Sequence, residues 1–306
     1  FFGMASATRN ASHAGSWYSD RGTELDAQLQ RWLDEAAGVE NPSSTVIRGI
    51  ISPHAGYSYS GRTAAHAYKS INPSGVQRVF ILGPSHHSYL KGCSVTGFGT
   101  YQTPLGNLPV DTRVVQDLKS SGLFDTMARD VDEEEHSLEL QCPFVAKTFG
   151  LVRVVPILVG ALSAERERQY GELFSRYLED PSNFFVISSD FCHWGERFRY
   201  TFYDPSYGKI CESIEKVDRM GMGCIESLSP EKYQAYQAQF DNTICGRHAI
   251  AVLLHALRAS ADGKVGLAGA ESLWDIRFLH YSQSSRVMRP SESSVSYASA
   301  VLAARG

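Results

Sequence analysis

Four short blocks, 46–52, 79–82, 152–159 and 184–188, are strongly apolar, and none alternates cleanly between apolar and polar residues. A strand wet on one face alternates, whereas one covered on both faces does not, so these blocks suit a parallel sheet with helices on either side. Helical patterns between and after them supply the cover. Tyr170, Leu173, Phe174, Tyr177 and Leu178 recur at i, i+3, i+4, i+7 and i+8, and Ile210, Ile214, Val217, Gly221 and Ile225 form a longer stripe. Ser229-Pro230 offers a cap and a first-turn proline to a helix carrying Tyr233, Tyr236 and Phe240. Residues 248–257 are apolar nearly all round, which predicts a buried helix. The stretch 93–110, broken by Gly97, Gly99, Pro104, Gly106 and Pro109, reads as a hairpin excursion, and a β-like segment at 295–302 closes the chain. No repeat or linker divides the 306 residues. The expected fold is therefore α/β, a single domain with a mostly parallel mixed sheet flanked by helices.

Composition removes several classes of function. A net charge of −4 without a Lys/Arg block argues against nucleic acid as a partner. No apolar stretch reaches the ~20 residues of a membrane span, and the start lacks the basic-then-apolar layout of a signal peptide. A cytoplasmic protein is expected, with a nuclear pool left open. Phe1-Phe2-Gly3 before Met4 reads as the remnant of an expression tag, leaving 4–306 as the domain. The six cysteines contain no C-x-x-C pair, so neither a disulfide frame nor a zinc ribbon is indicated.

Three of the apolar blocks end alike. They run into "IISPHAGY", "VFILGPSHH" and "FFVISSDFCHWG", each carrying histidine just past the strand: His54, His86 or His87, and His193. Neighbouring parallel strands leave a sheet on one edge, where α/β proteins place their ligands, so these imidazoles are expected to share a crevice. Converging imidazoles indicate a metal or acid–base chemistry. Around them, Asp190 and Cys192 flank His193, while Cys245 immediately precedes the buried helix, where backbone N–H groups and the helix dipole favour a thiolate donor. His136 and Glu139 lie one turn apart in "DEEEHSLELQ". The candidate catalytic residues are His193, as acid–base group, Asp190, which would orient it, and His136. His87 is the weaker of its pair, since neighbours on an extended chain point opposite ways. The acidic run 132–135 reads as a solvated helix start. Trp17 and Tyr59 are core aromatics or the wall of the pocket, and Cys93, Cys142, Cys211 and Cys224 read as small core hydrophobes. Phosphate-loop, dinucleotide, zinc-peptidase and serine-hydrolase signatures are absent.

The motifs "ASHAGSWY", "PHAGYSYSG", "ILGPSHH", "DEEEHSLELQCPF", "PILVGALS", "SSDFCHWGERFRY", "DNTICGRHAI" and "SSVSYA" occur in order over nearly the whole chain. Together they resemble the Memo family, mediators of receptor-tyrosine-kinase-driven cell motility. That family is similar in fold to the class III extradiol ring-cleaving dioxygenases, which implies one α/β domain with its site at the strand ends. Carried over by motif, the resemblance implies His54, His86 and Cys245 as metal ligands, with Asp190 and His193 adjoining and Trp17 and Tyr59 lining the pocket. It also implies Fe2+ at the site or, as an alternative, copper, and redox-linked signalling that affects motility and the cytoskeleton. Phosphotyrosine peptides or signalling proteins are the implied partners. A thiolate in place of the usual carboxylate shifts metal preference toward copper or zinc and makes ring cleavage of catechols an alternative rather than the leading expectation. A phosphotyrosine-binding module is the other alternative.

Overall fold

The apolar blocks form the centre of one sheet. The computed structural model describes residues 7–39, 45–261 and 269–305, and the tag-like Phe1-Phe2-Gly3 lies outside them. Thr45–Ser52, Asn183–Ser188, Arg78–Pro84 and Arg153–Val159 lie side by side in that order, all parallel. From Val79 to Pro84, Val154 to Val159 and along all of Asn183–Ser188 every residue is buried, which is why these blocks show no alternation. Phe80 stacks on Phe185 across two of them, ring centroids 4.9 Å apart.

Antiparallel strands extend both sides. Ser294–Arg305 pairs with Thr45–Ser52 and also with Trp274–Gln283 and the short His193–Trp194. On the far side Cys93–Val95 runs antiparallel to Arg153–Val159 and parallel to Phe124–Thr126. The result is a nine-stranded mixed sheet, parallel at its centre, in a single α/β domain. Only part of the expected hairpin excursion exists. Thr100–Tyr101 and Leu108–Pro109 pair antiparallel and are joined by Thr8–Arg9 in a separate small sheet, whereas Cys93–Val95 belongs to the main one.

The expected helices appear as Ala164–Glu179, Ile210–Glu226, Pro230–Phe240 and Arg247–Ala261. Ser229 caps the third as anticipated, its side chain accepting from the Lys232 N–H at 3.3 Å. Arg247–Ala261 lies on the strands Arg78–Pro84 and Asn183–Ser188, and Ala164–Glu179 is laid along it. Two further helices, Gly22–Glu35 and Tyr57–Lys69, were not signalled by periodicity.

The contact between these two helices, Ala164–Glu179 and Arg247–Ala261, tests this arrangement. A Cβ on Gly171 would stand 2.3 Å from the His255 Cβ and 2.8 Å from its backbone carbon. Gly171→Ala gains about 1 kcal/mol of helix propensity, but overpacking costs about 1–3 kcal/mol and rises when backbone must move. The clash should win: the variant is expected to unfold at lower urea concentration than the parent, with an unchanged denaturant slope.

Candidate metal centre

The parallel strands deliver their loops to one edge. Ser52 leads into Pro53-His54, Pro84 into Ser85-His86, and Ser188 into Ser189-Asp190. The His54 and His86 rings come to 5.3 Å, and His136, opening the short helix His136–Glu139, lies 5.5 Å from the first and 4.2 Å from the second. Each of the three offers a nitrogen, and these ligand atoms all lie within 4.8 Å of one another. Cys245 Sγ approaches His54 Nε2 from the start of the buried helix, at 3.2 Å. Nitrogen and sulfur bound to one ion at about 2.0 and 2.3 Å stand roughly 3.1–3.5 Å apart for angles between right and tetrahedral. The three imidazoles therefore fit a transition ion, and Cys245 has a spacing that shared ligation allows from His54 alone.

Hydrogen bonds fix which nitrogen faces inward. Ser188 Oγ donates to the Ser137 carbonyl at 2.7 Å and accepts from Gln141 Nε2 at 2.9 Å. A hydroxyl has one proton, so its contact with His54 Nδ1 at 2.8 Å must be donated by the imidazole. His54 Nε2 is left with its lone pair free. Glu135 does the same for His86, accepting from Nδ1 and from the backbone N–H, both at 2.8 Å. A carboxylate or hydroxyl behind each imidazole is the usual support of metal-binding histidines. Two of the three imidazoles, His54 and His136, are also held uncharged. Burial, then the neighbouring His86, holds His54 well below the ordinary histidine value, and burial with His54 and His86 pushes His136 down to about 2. Neutral imidazole is the form that binds a metal.

The acidic run is not a solvated helix start. Asp132 and Glu135 are buried, as is Glu139. Burial pushes the Glu135 carboxyl up, but hydrogen bonds from the His86 ring and backbone and from the Ser137 N–H outweigh it and hold it at about 2. Glu139 repeats the device. It accepts from the backbone N–H and Nδ1 of His13, each at 2.8 Å, from Tyr18 at 2.7 Å and from Arg9 at 2.6 Å, and is also held at about 2 against the upward push of burial. Arg9, itself fully buried, bridges Glu139 to Asp132. Sequence reasoning passed over His13, Glu135, Ser188 and Arg9. The one local signal for the carboxylates was the spacing of 132, 135 and 139, which puts them on one side of a helical path.

The remaining candidates divide. Asp190 lies at the crevice but does not hold His193; its Oδ1 accepts from the backbone N–H of His54 at 2.8 Å and of Ala55 at 3.3 Å. His193 Nδ1 instead faces the carbonyls of Phe191 at 2.9 Å and Thr243 at 3.1 Å, so it carries the proton and leaves Nε2 free. Trp17, 37% exposed, lies 4.5 Å from His136 and forms a wall. Tyr59 stands out at 64% exposure. Cys245 departs from the expectation of a lowered thiol pKa: burial, then Asp190, pushes it up, although Sγ accepts the Asp190 N–H at 3.1 Å. Cys93, Cys142, Cys192 and Cys211 are buried, Cys224 is half-buried, and all are free thiols.

Comparison with known proteins follows the same outline. The family described as "Memo-like protein" matches residues 9–301. Protein MEMO1 of Xenopus tropicalis is 50% identical over 298 residues, covering 96% of this chain and 97% of its own. The human Protein MEMO1 is 47% identical over the same shares, and the memo-1 homolog of Caenorhabditis elegans is 48% identical over 98% of this chain and 84% of its own. A solved structure of an uncharacterized Escherichia coli K12 protein aligns with a TM-score of 0.48 at 13% identity, covering 82% of this chain and 99% of that one.

The buried titrating groups set the acid stability. The pKa values of His54, His136, Glu135 and Glu139 are all depressed, so the unfolded chain binds protons that the folded one refuses. The contribution of these four groups is complete above pH 6.5, and is lost first through the histidines and then, below 4.5, through the carboxylates, down to about 2. In metal-free protein, His136→Gln should flatten the fall between pH 6.5 and 4.5 by up to about 1.4 kcal/mol per pH unit, the slope of one proton. Urea unfolding across pH measures it; an unchanged slope would show that His136 does not titrate this way.

Proposed function

The chain belongs to the Memo-like protein family, and from that membership we propose that it is a metal-binding, redox-linked signalling protein of the cytoplasm acting on cell motility and the cytoskeleton. The observation that supports a metal is the set of imidazoles His54, His86 and His136, with ligand atoms within 4.8 Å of one another. In this reading His54 and His86 are the common core of the site, Cys245 gives the sulfur donor from beside His54, and His136 stands between them and Trp17. Fe2+ is the proposed native ion, as the family resemblance implies, and the soft sulfur beside His54 makes copper its competitor. When bound, such an ion supplies one-electron redox chemistry. The protein's own part is to present fixed lone pairs: Ser188 orients His54, Glu135 orients His86, and Asp190 pins the loop that carries His54.

A ring-cleaving reading is less well supported, since Asp190 is committed to the His54 loop and does not orient His193 as that chemistry was expected to need. A phosphotyrosine-peptide reading draws on one feature of the rim, the Arg197 guanidinium 4.4 Å over the Phe198 ring, which in turn meets His193 edge-on at 5.3 Å.

Elemental analysis tests the metal directly. Purified protein loaded anaerobically with Fe2+, and separately with Cu2+, should retain near one equivalent, and His54→Ala with Cys245→Ser should abolish retention. Undiminished metal in that double variant would refute the proposal. Glu135→Gln keeps every donor but weakens the support of His86, so its affinity should fall about 10–100-fold, read by competition with a chelator. Comparing Cys245→Ser with His136→Gln in the same assay ranks the third donor.

A further inference from the structure

The helices Ala164–Glu179, Pro230–Phe240 and Arg247–Ala261 border a half-open cavity of about 260 Å³ whose wall includes none of the proposed metal donors. Its apolar lining is Leu162, Pro230, Ala238 and Ala251, and its polar lining includes Tyr233, Arg247 and His248. His248 is already matched, its Nδ1 2.6 Å from Glu167 Oε1. Tyr233 is matched only as an acceptor: Gln237 Nε2 donates to its oxygen at 3.2 Å. The Tyr233 proton has no acceptor among the described residues, although the side chain is only 2% exposed. A buried donor without an acceptor is uncommon and asks for a partner. The exposed Arg247 lines the same cavity, and its guanidinium meets no carboxylate or carbonyl among the described residues.

Two unmatched donors, one of them cationic, thus share a wall whose only carboxylate, Glu167, is engaged by His248. Such a wall accepts a single negative charge. The planar guanidinium fork matches the two oxygens of a carboxylate, while the apolar lining accommodates a hydrocarbon body that a bare inorganic anion lacks. The volume lies just below the usual range for drug-sized ligands, so the ligand is small. We propose that this cavity binds a small organic monocarboxylate, its oxygens on Arg247 and Tyr233 and its apolar body against Leu162, Pro230 and Ala251. The site is independent of the metal-centre reading.

Benzoate is a suitable probe, with uncharged benzamide as its isostere. In titration calorimetry on chelator-treated full-length protein, benzoate should bind saturably at one site and benzamide at least tenfold more weakly. Arg247→Gln should weaken benzoate at least tenfold, and Tyr233→Phe by a smaller factor. Ala251→Leu, which crowds the apolar lining, should abolish binding while circular dichroism stays native; should that variant misfold, the Arg247 and Tyr233 variants carry the test. Absence of saturable binding overturns the proposal, as does benzamide binding as tightly as benzoate. Benzoate affinity untouched by Arg247→Gln would place the ligand elsewhere and overturn it equally.

Discussion

One buried carboxylate, Glu135, organises the crevice. A bare charge at this depth would cost several kcal/mol, and burial indeed pushes this carboxyl toward its neutral form. Three donors reverse the balance: the His86 backbone, the His86 ring and the Ser137 N–H. The same bonds that keep Glu135 ionised choose the His86 tautomer and hold its loop. His136 follows Glu135 directly in the chain, so locating the carboxylate also locates the second imidazole, 4.2 Å from the first. One turn on, Glu139 grips His13 by backbone and ring in the same manner, but needs Arg9 as well. The segment that looked most solvent-like in sequence is the most deeply committed part of the site.

Charge explains why the imidazoles crowd without repelling. Four histidine rings, His13, His54, His86 and His136, lie in a chain of contacts from 4.2 to 6.0 Å. Protonated, they could not share this space, and burial together with their mutual field keeps His54 and His136 neutral. The buried guanidinium of Arg9 is committed to Asp132 and Glu139. The crevice thus offers lone pairs, backed by an ionised carboxylate.

Much of this was legible in the chain because it depends on local pattern. Unalternating apolar blocks gave a parallel sheet, and of the histidines just past three of them, His54 and His86 gather at one edge. What escaped depends on long-range pairing or on small residues. Arg9 meets Glu139 across 130 positions, and no local feature announces it. Charge at 132–135 resembles solvent exposure until Arg9, Thr96 and Tyr101 arrive to satisfy Asp132. The helix Tyr57–Lys69 buries Ser60, Gly61, Thr63 and Ala64, small groups that leave no hydrophobic stripe; Gly61 is required because a Cβ would stand 2.3 Å from the Trp32 ring. Cys245 was reached from its place just before the buried helix, and the family resemblance then implied it as a ligand.

Cys245 also shows how two sound arguments are ranked by the structure. A thiol just before a helix is expected to ionise easily, since N–H groups and the dipole favour the anion. The Asp190 N–H does donate to Sγ, at 3.1 Å. Burial nevertheless pushes the thiol up, and the Asp190 carboxyl adds to the push. Sulfur therefore keeps its proton and faces the free lone pair of His54 Nε2 at 3.2 Å. A cation that takes both atoms as donors must displace that proton, because metal ligation requires thiolate. With His54 and His136 already neutral, their protons offer no resistance. The pH dependence of metal uptake in the proposed site is accordingly governed at the sulfur, by the same burial that makes the imidazoles ready.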